Sequence, residues 1–301
     1  TWTRLAISSI TVSNTLSIIG TNFAQFRLEV TNPVMVNCGS LYLKGAALAL
    51  GQRFYSVPPD YHSFFEWNVA ATGPTLVCEG DLVMTNLGLL CVSAGATNSG
   101  MEAGYGARVA VGGSFTIASN CGVMPIAHAT KGAAPLFTMS NLVVAAYGGF
   151  NATTLGYAGG PRPGNLTNAS FMAYGPGIST NAQVGYKEAN GGSGYGGVGG
   201  AGLYAGGGPA YGLADKPIEP GSGARAGWAS GTQDGPFGGG GVQIRADDSV
   251  MLSGQIVADG GPGVVSYGPA ASGGSIYIRC LTFIGDSNGL LQANGGKGYS
   301  N

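Results

Sequence analysis

One unit is written twice near the C-terminal end of the chain, and it limits the possible folds more than any other feature. Gly240-Gly-Val-Gln-Ile-Arg-Ala leads through Ser249-Val-Met-Leu-Ser to Gly254-Gln-Ile-Val-Ala-Asp-Gly-Gly-Pro-Gly. About 34 residues later, Gly273-Gly-Ser-Ile-Tyr-Ile-Arg-Cys leads through Leu281-Thr-Phe-Ile to Gly289-Leu-Leu-Gln-Ala-Asn-Gly-Gly-Lys-Gly. Each copy holds three short apolar runs split by Gly, Asp, Asn and Ser, which read as strands and turns. The runs lie too close together for helical crossovers.

Parts of the unit recur upstream. Gly39-Ser-Leu-Tyr-Leu, Gly80-Asp-Leu-Val-Met and Gly113-Ser-Phe-Thr-Ile share one pattern with Gly274-Ser-Ile-Tyr-Ile, and Ser140-Asn-Leu-Val-Val is a looser copy. Gly88-Leu-Leu-Cys-Val-Ser-Ala-Gly repeats the pattern that begins at Gly254 and Gly289. Three short strands per irregular repeat predict an all-β fold, a right-handed parallel β-helix (β-solenoid). An antiparallel sandwich also uses short strands and Gly turns, but it does not require one module to recur at one strand position.

Composition agrees with strands. Gly accounts for 57 of 301 residues, and Gly costs about 1 kcal/mol relative to Ala inside a helix. No strict Gly-X-Y period runs through the chain, so collagen is excluded. A hydrophobic share of 44% suffices for a core. Only 9% of residues are charged and the net charge is −1. The basic footprint of a nucleic-acid binder is therefore missing, and the surface is weakly defended against self-association. No apolar run is long enough to span a membrane as a helix.

The pattern divides the chain. Residues 1–35 alternate strongly, as in Leu5, Ile7, Phe26, Leu28 and Val30, and are expected to form N-terminal strands of a cap or inter-subunit segment. Residues 36–149 carry solenoid coils interrupted by a loop at Ser56-Val-Pro-Pro-Asp. Residues 150–237, dominated by Pro, Gly, Tyr and Ala, lose apolar periodicity and read as a long loop excursion, and residues 238–301 return to coils. Asn151-Ala-Thr, Asn165-Leu-Thr and Asn168-Ala-Ser are glycosylation sequons and point to an extracellular chain. Thr1 is not a Met, which is expected of a trimmed product.

The strings Gly191-Gly-Ser-Gly-Tyr-Gly-Gly-Val-Gly-Gly, Gly208-Pro-Ala-Tyr-Gly and Gly238-Gly-Gly-Gly-Val-Gln-Ile-Arg-Ala, followed by Gly273-Gly-Ser-Ile-Tyr-Ile, resemble glycine-rich extracellular parallel β-helix proteins of cell surfaces and walls. The resemblance covers roughly residues 190–298 and implies a structural role; it supplies no catalytic residues.

Candidate chemistry is sparse. Gly285-Asp-Ser287-Asn-Gly289 matches a nucleophile elbow, but no His follows and no helix pattern begins there. Gly194-Tyr-Gly196-Gly-Val-Gly199 matches a dinucleotide fingerprint that Gly-rich sequence produces trivially. Gly260-Gly-Pro-Gly and Gly295-Gly-Lys-Gly lack the Asp of a calcium repeat, so no metal and no cofactor are expected. Asp247 and Asp248, with Arg245 and Arg279 in equivalent places, could serve a glycosidase or lyase as an acid–base pair; a charged corner is the plainer reading. Of five cysteines, Cys38, Cys78, Cys91 and Cys121 are candidates for at least one disulfide between coils, and Cys280 is left over. Tyr186, Tyr195, Tyr204 and Tyr211 are candidates for an interface or for sugar stacking, or anchor the excursion.

These features predict a non-enzymatic extracellular structural glycoprotein that assembles with copies of itself into a surface filament or coat. Its expected partners are those copies and N-linked glycans, with neither nucleic acid nor membrane insertion. The alternatives are an adhesin or carbohydrate-binding module that meets polysaccharide on the Tyr-rich face, or a polysaccharide lyase or hydrolase.

Overall fold

The computed structural model describes residues 7–20, 27–51, 73–96, 105–160, 173–179, 191–202, 205–225, 235–263 and 268–298. Among them sixteen strands join in one sheet, and every pairing is parallel. The strands return in tiers, one stacked on the next. The first tier is β1 (Ile7–Ile19), the second is β2 (Arg27–Lys44) with β3 (Ala47–Leu50), and the third is β4 (Thr75–Cys78), β5 (Leu82–Thr85) and β6 (Leu89–Ser93). The fourth is β7 (Ala107–Val111), β8 (Ser114–Ile117) and β9 (Gly122–Ile126). Next come β10 (Pro135–Val144) with β11 (Gly149–Asn151), and then β12 (Gly241–Leu252) with β13 (Gln255–Val257). β14 (Ser275–Arg279), β15 (Thr282–Gly285) and β16 (Leu290–Gln292) close the stack.

Register explains why alternation was visible. Val36, Leu76, Val109, Phe137 and Ile244 stand over one another, and so do Leu41, Leu82, Phe115, Leu142 and Val250. All ten are almost wholly buried. At a strand spacing of about 4.8 Å, like residues touch like residues from tier to tier, and successive side chains alternate between core and solvent. Phe150, from β11, meets Phe115 and Phe137 edge-on at centroid distances of 6.1 and 5.2 Å. Edge-to-face pairs of this kind add about 0.5–1.5 kcal/mol beyond their buried area.

The expected right-handed β-solenoid with a loop excursion is corrected on three counts. First, the strands do not separate into regular coils of three. Gly80 and Gly112-Gly113 break the third and fourth tiers at a corner, whereas β10 and β12 run through the same corner unbroken. There Ser249 Oγ donates to Asn141 Oδ1 at 2.7 Å, and the corner is stitched by polar groups instead of glycine. Second, the boundary expected between residues 35 and 36 falls inside β2, and β1 belongs to the same sheet as the rest.

Third, the Gly-rich chain is not a loop hanging from the stack. The described residues within 127–134, 152–240, 258–274 and 293–298 lie side by side as a second lobe, bonded backbone to backbone. The Tyr157 and Gly160 amides donate to Gly221 and Ala224 O at 3.0 and 2.9 Å, while Gly238 and Gly235 donate to Tyr157 and Gly160 O. Gly221 and Ala224 bond Gly239 and Pro236 O, and Gly260 and Gly263 bond Asn294 and Lys297 O. Each segment therefore meets a given neighbour once every three residues. Between Tyr157 and Gly160 the chain also turns to a further neighbour, with the Ala158 amide on Ala129 O. A three-residue screw without internal hydrogen bonds is the polyproline II conformation. The segments pack so closely that a Cβ at Gly159 would fall on Gly235 O, and one at Gly238 on Gly221 O.

Candidate functional site

The two ends of the sheet differ from its middle because each is paired on one side only. Among the described residues β1 pairs with β2 alone, and β14, β15 and β16 pair with β12 and β13 alone. Each end displays a row of backbone N–H and C=O groups, a template for another strand. Natural edges are usually blunted by charge or Pro. β1 carries neither in Ile7–Ile19, and Arg279 is the only charge in β14, β15 and β16.

Burial makes the C-terminal end conspicuous. Val250 in β12 is 0% exposed, yet Phe283, its register partner in β15, is 46% exposed. Likewise Ile256 is 0% exposed and its partner Leu291 in β16 is 49%. Leu281, Ile284 and Leu290 are also exposed; Ile284 stands in the outward column of Met251, and Leu290 in that of Gln255. At the other end Ile10, Val12 and Leu16 pack on the core only half-buried.

The structure places the other candidates as follows. Asn151 ends β11 and is exposed, its Oδ1 accepting the Thr153 amide at 3.0 Å. Asn165, Asn168, Tyr186 and Tyr204 lie outside the described residues. Tyr195 and Tyr211 come together, ring centroids 4.8 Å apart and edge-on. Tyr211 Oη donates to Pro220 O, and Ser222 Oγ donates to Tyr211 Oη. Burial pushes the Tyr195 phenol up to about 12 and raises Tyr211 further. Both rings are half-buried within the glycine lobe.

The expected disulfide is not formed. Cys38, Cys78, Cys91, Cys121 and Cys280 are all thiols, the first four buried at small apolar positions. Cys38 and Cys78 are register partners in β2 and β4, but the Cys78 thiol donates to Asp81 O at 3.1 Å and Cys38 to Val77 O. The hydrogen bond with Cys78, and then burial, hold the Cys38 thiol well above its ordinary value. Cys91 instead faces Ala49 and Met124.

Arg245 and Arg279 are register partners, with Asp247 and Asp248 exposed on the bend of β12. None of the four lines the cavity of about 690 Å3 in the glycine lobe. That cavity lies between Ser193, Tyr195, Pro269 and Ala270, has glycine backbone for most of its wall, and carries no charged side chain. His128 is also structural: its Nδ1 accepts the Thr130 and Lys131 amides at 3.2 and 3.1 Å, and burial lowers its pKa. Among the described residues no three His, Cys, Asp or Glu side chains cluster to hold a metal, and no helix is long and apolar enough to cross a membrane. No family model, no curated protein and no solved structure matches the chain.

Proposed function

We propose that this chain is a non-enzymatic structural protein that assembles with copies of itself into an extracellular filament or coat. One observation carries the reading: among the described residues the strands at both sides of the sheet pair on one side only, and Leu281, Phe283, Ile284, Leu290 and Leu291 are exposed at one of them. Leaving such a surface in water forgoes about 25 cal/mol per Å2 of burial. Low charge supports the same reading, because little electrostatic repulsion opposes packing of copies. The exposed sequon at Asn151 and the resemblance to glycine-rich surface proteins favour an extracellular setting. Light scattering and electron microscopy of the purified chain over a range of concentrations test the proposal. Ordered polymers are expected, and dispersed monomers at the highest concentration would sink it.

A further inference from the structure

We infer that the corner between β12 and β13 carries a binding notch that takes one sugar ring of a neutral polysaccharide. The site is independent of the assembly proposed above, and every residue that forms it belongs to three adjacent tiers of the stack.

The notch arises from a difference in turn length. On one side of the corner Val144, Leu252 and Gly285 are register partners, and on the other side Gly149, Gln255 and Leu290 are. Residues 145–148 and 286–289 cross it with four residues each, whereas β12 reaches β13 through Ser253 and Gly254 alone. Two earlier tiers also use four residues, 85–88 and 118–121. Each four-residue turn closes on itself, with the Gly88, Cys121, Gly148 and Gly289 amides donating to Thr85, Ala118, Ala145 and Asp286 O. The short turn leaves a gap between two full ones. A cavity of about 370 Å3 opens there, with Tyr147 from the tier before, Asn288 and Leu290 from the tier after, and Ser253, Gly254 and Gln255 between them.

The lining selects the ligand. The flanking tiers stand two strand spacings apart, each about 4.8 Å. A ligand touching both keeps about 3.5–4.0 Å from either, so one layer of atoms fits between them. Leu87, Asn120 and Tyr147 hold the same turn position at φ 63°, 60° and 63°, a left-handed conformation that Asn favours and bulky residues avoid. Of the three, Tyr147 borders the notch, and it is 84% exposed. Its ring offers an apolar face, while the exposed Gln255 and Asn288 bring side-chain amides and Ser253 a hydroxyl. None of the lining side chains is charged. The nearby Asp286 carboxylate serves its own turn, accepting the Asn288 backbone amide at 2.8 Å. A single layer with one apolar face and neutral donors and acceptors around it matches a pyranose, whose C–H face packs on an aromatic ring while its hydroxyls bond amides. A partner's aromatic side chain would use the ring and leave both amides idle. The volume lies near the lower limit of small-ligand sites, which suits one sugar unit of a longer chain.

Isothermal titration of the full chain with soluble tetrasaccharides of glucose, mannose, galactose and xylose, and with tetragalacturonic acid, tests the site. At least one neutral tetrasaccharide is expected to bind. Tyr147→Asn removes the ring yet suits the left-handed turn, so the fold persists while binding weakens about tenfold. A second variant replaces Ser253-Gly254 with Asp-Ser-Asn-Gly, the turn of the following tier. It fills the notch and is expected to abolish binding, with hydrogen exchange of β12 and β13 unchanged to show that the stack persists. If no neutral tetrasaccharide binds, the site is overturned. Binding that survives both variants would place the sugar elsewhere, and weakening by only one of the two would overturn the notch as the seat of the ring. Preference for tetragalacturonic acid would overturn the neutral class. Each of these outcomes can be read whether or not the chain polymerises.

Discussion

The strand stack and the glycine lobe are built from the same chain on opposite principles. In the stack, side chains do the work: Phe115, Phe137, Phe150 and their neighbours fill a continuous apolar core, and backbone bonding follows the strand ladder. In the lobe, side chains are mostly missing, and the backbone groups of packed segments satisfy one another at positions such as Tyr157–Gly221 and Gly238–Tyr157. Burying an amide without a partner costs roughly 1–3 kcal/mol, so each segment packed into the lobe has to find bonding partners on its neighbours. The comparison teaches that order does not require an apolar core when chains can approach to hydrogen-bonding distance on several sides. Glycine permits that approach because a Cβ would occupy the place of the neighbouring carbonyl.

If this division is right, truncating the stack should cost most. Phe150→Ala removes the ring shared by Phe115 and Phe137, and about 3–5 kcal/mol of stability is expected to go with it. A shift of the urea midpoint worth less than 1 kcal/mol would mean that the apolar core is not what holds the tiers. The lobe should answer to a smaller change of the opposite kind. Gly159→Ala adds one methyl group where Gly235 O sits, and overpacking of this sort costs about 1–3 kcal/mol. Hydrogen exchange should then rise at Gly160 and Gly235 while β7 to β10 stay protected, and uniform loss across both regions would break the separation between them.

Gly197→Ala sharpens the contrast from the other side. A Cβ there meets nothing within 4 Å, so the substitution should shift stability by no more than about 0.5 kcal/mol. A large loss at Gly197 would show that glycine serves the lobe through chain flexibility and not through close approach.

The smallest effect concerns pH at the seam between the regions. Burial lowers the pKa of His128, whose Nδ1 accepts two amides. The unfolded chain titrates near about 6.5 and takes up a proton that the folded chain resists. Stability is therefore complete above that range and falls as pH drops below it. Urea midpoints at neutral and mildly acidic pH should show the decline, and His128→Asn should flatten it; an unchanged slope in the variant would assign the decline to other groups.

The stack was legible because its rule leaves a mark on the sequence. Alternation at Leu41-Tyr42-Leu43, Leu82-Val83-Met84 and Phe115-Thr116-Ile117 places core residues at fixed offsets, and those modules do stack in register. Likeness still misled at one point. Gly274-Ser-Ile-Tyr-Ile resembles Gly39-Ser-Leu-Tyr-Leu, yet it stands under Gly241–Ile244, at the corner before. Two different corners both need a Gly ahead of an alternating strand. The lobe left no mark of this kind, since its three-residue period is carried by amides and carbonyls that every residue possesses. Tyr195 and Tyr211 are visible in the sequence as rings, but nothing there says that one packs edge-on against the other.

The connections between tiers differ in a way that carries its own lesson. Residues 127–134 link β9 to β10, while residues 152–240 link β11 to β12 at the same corner, and β10 and β12 still lie side by side. Loop-closure entropy grows only with the logarithm of length, so a link roughly tenfold longer costs about 2 kcal/mol more. The pairing of eight residues between β10 and β12 easily outweighs that sum. A protein of this design can therefore take in large insertions at a single corner without disturbing the ladder, so long as each inserted strand of chain finds partners for its own amides.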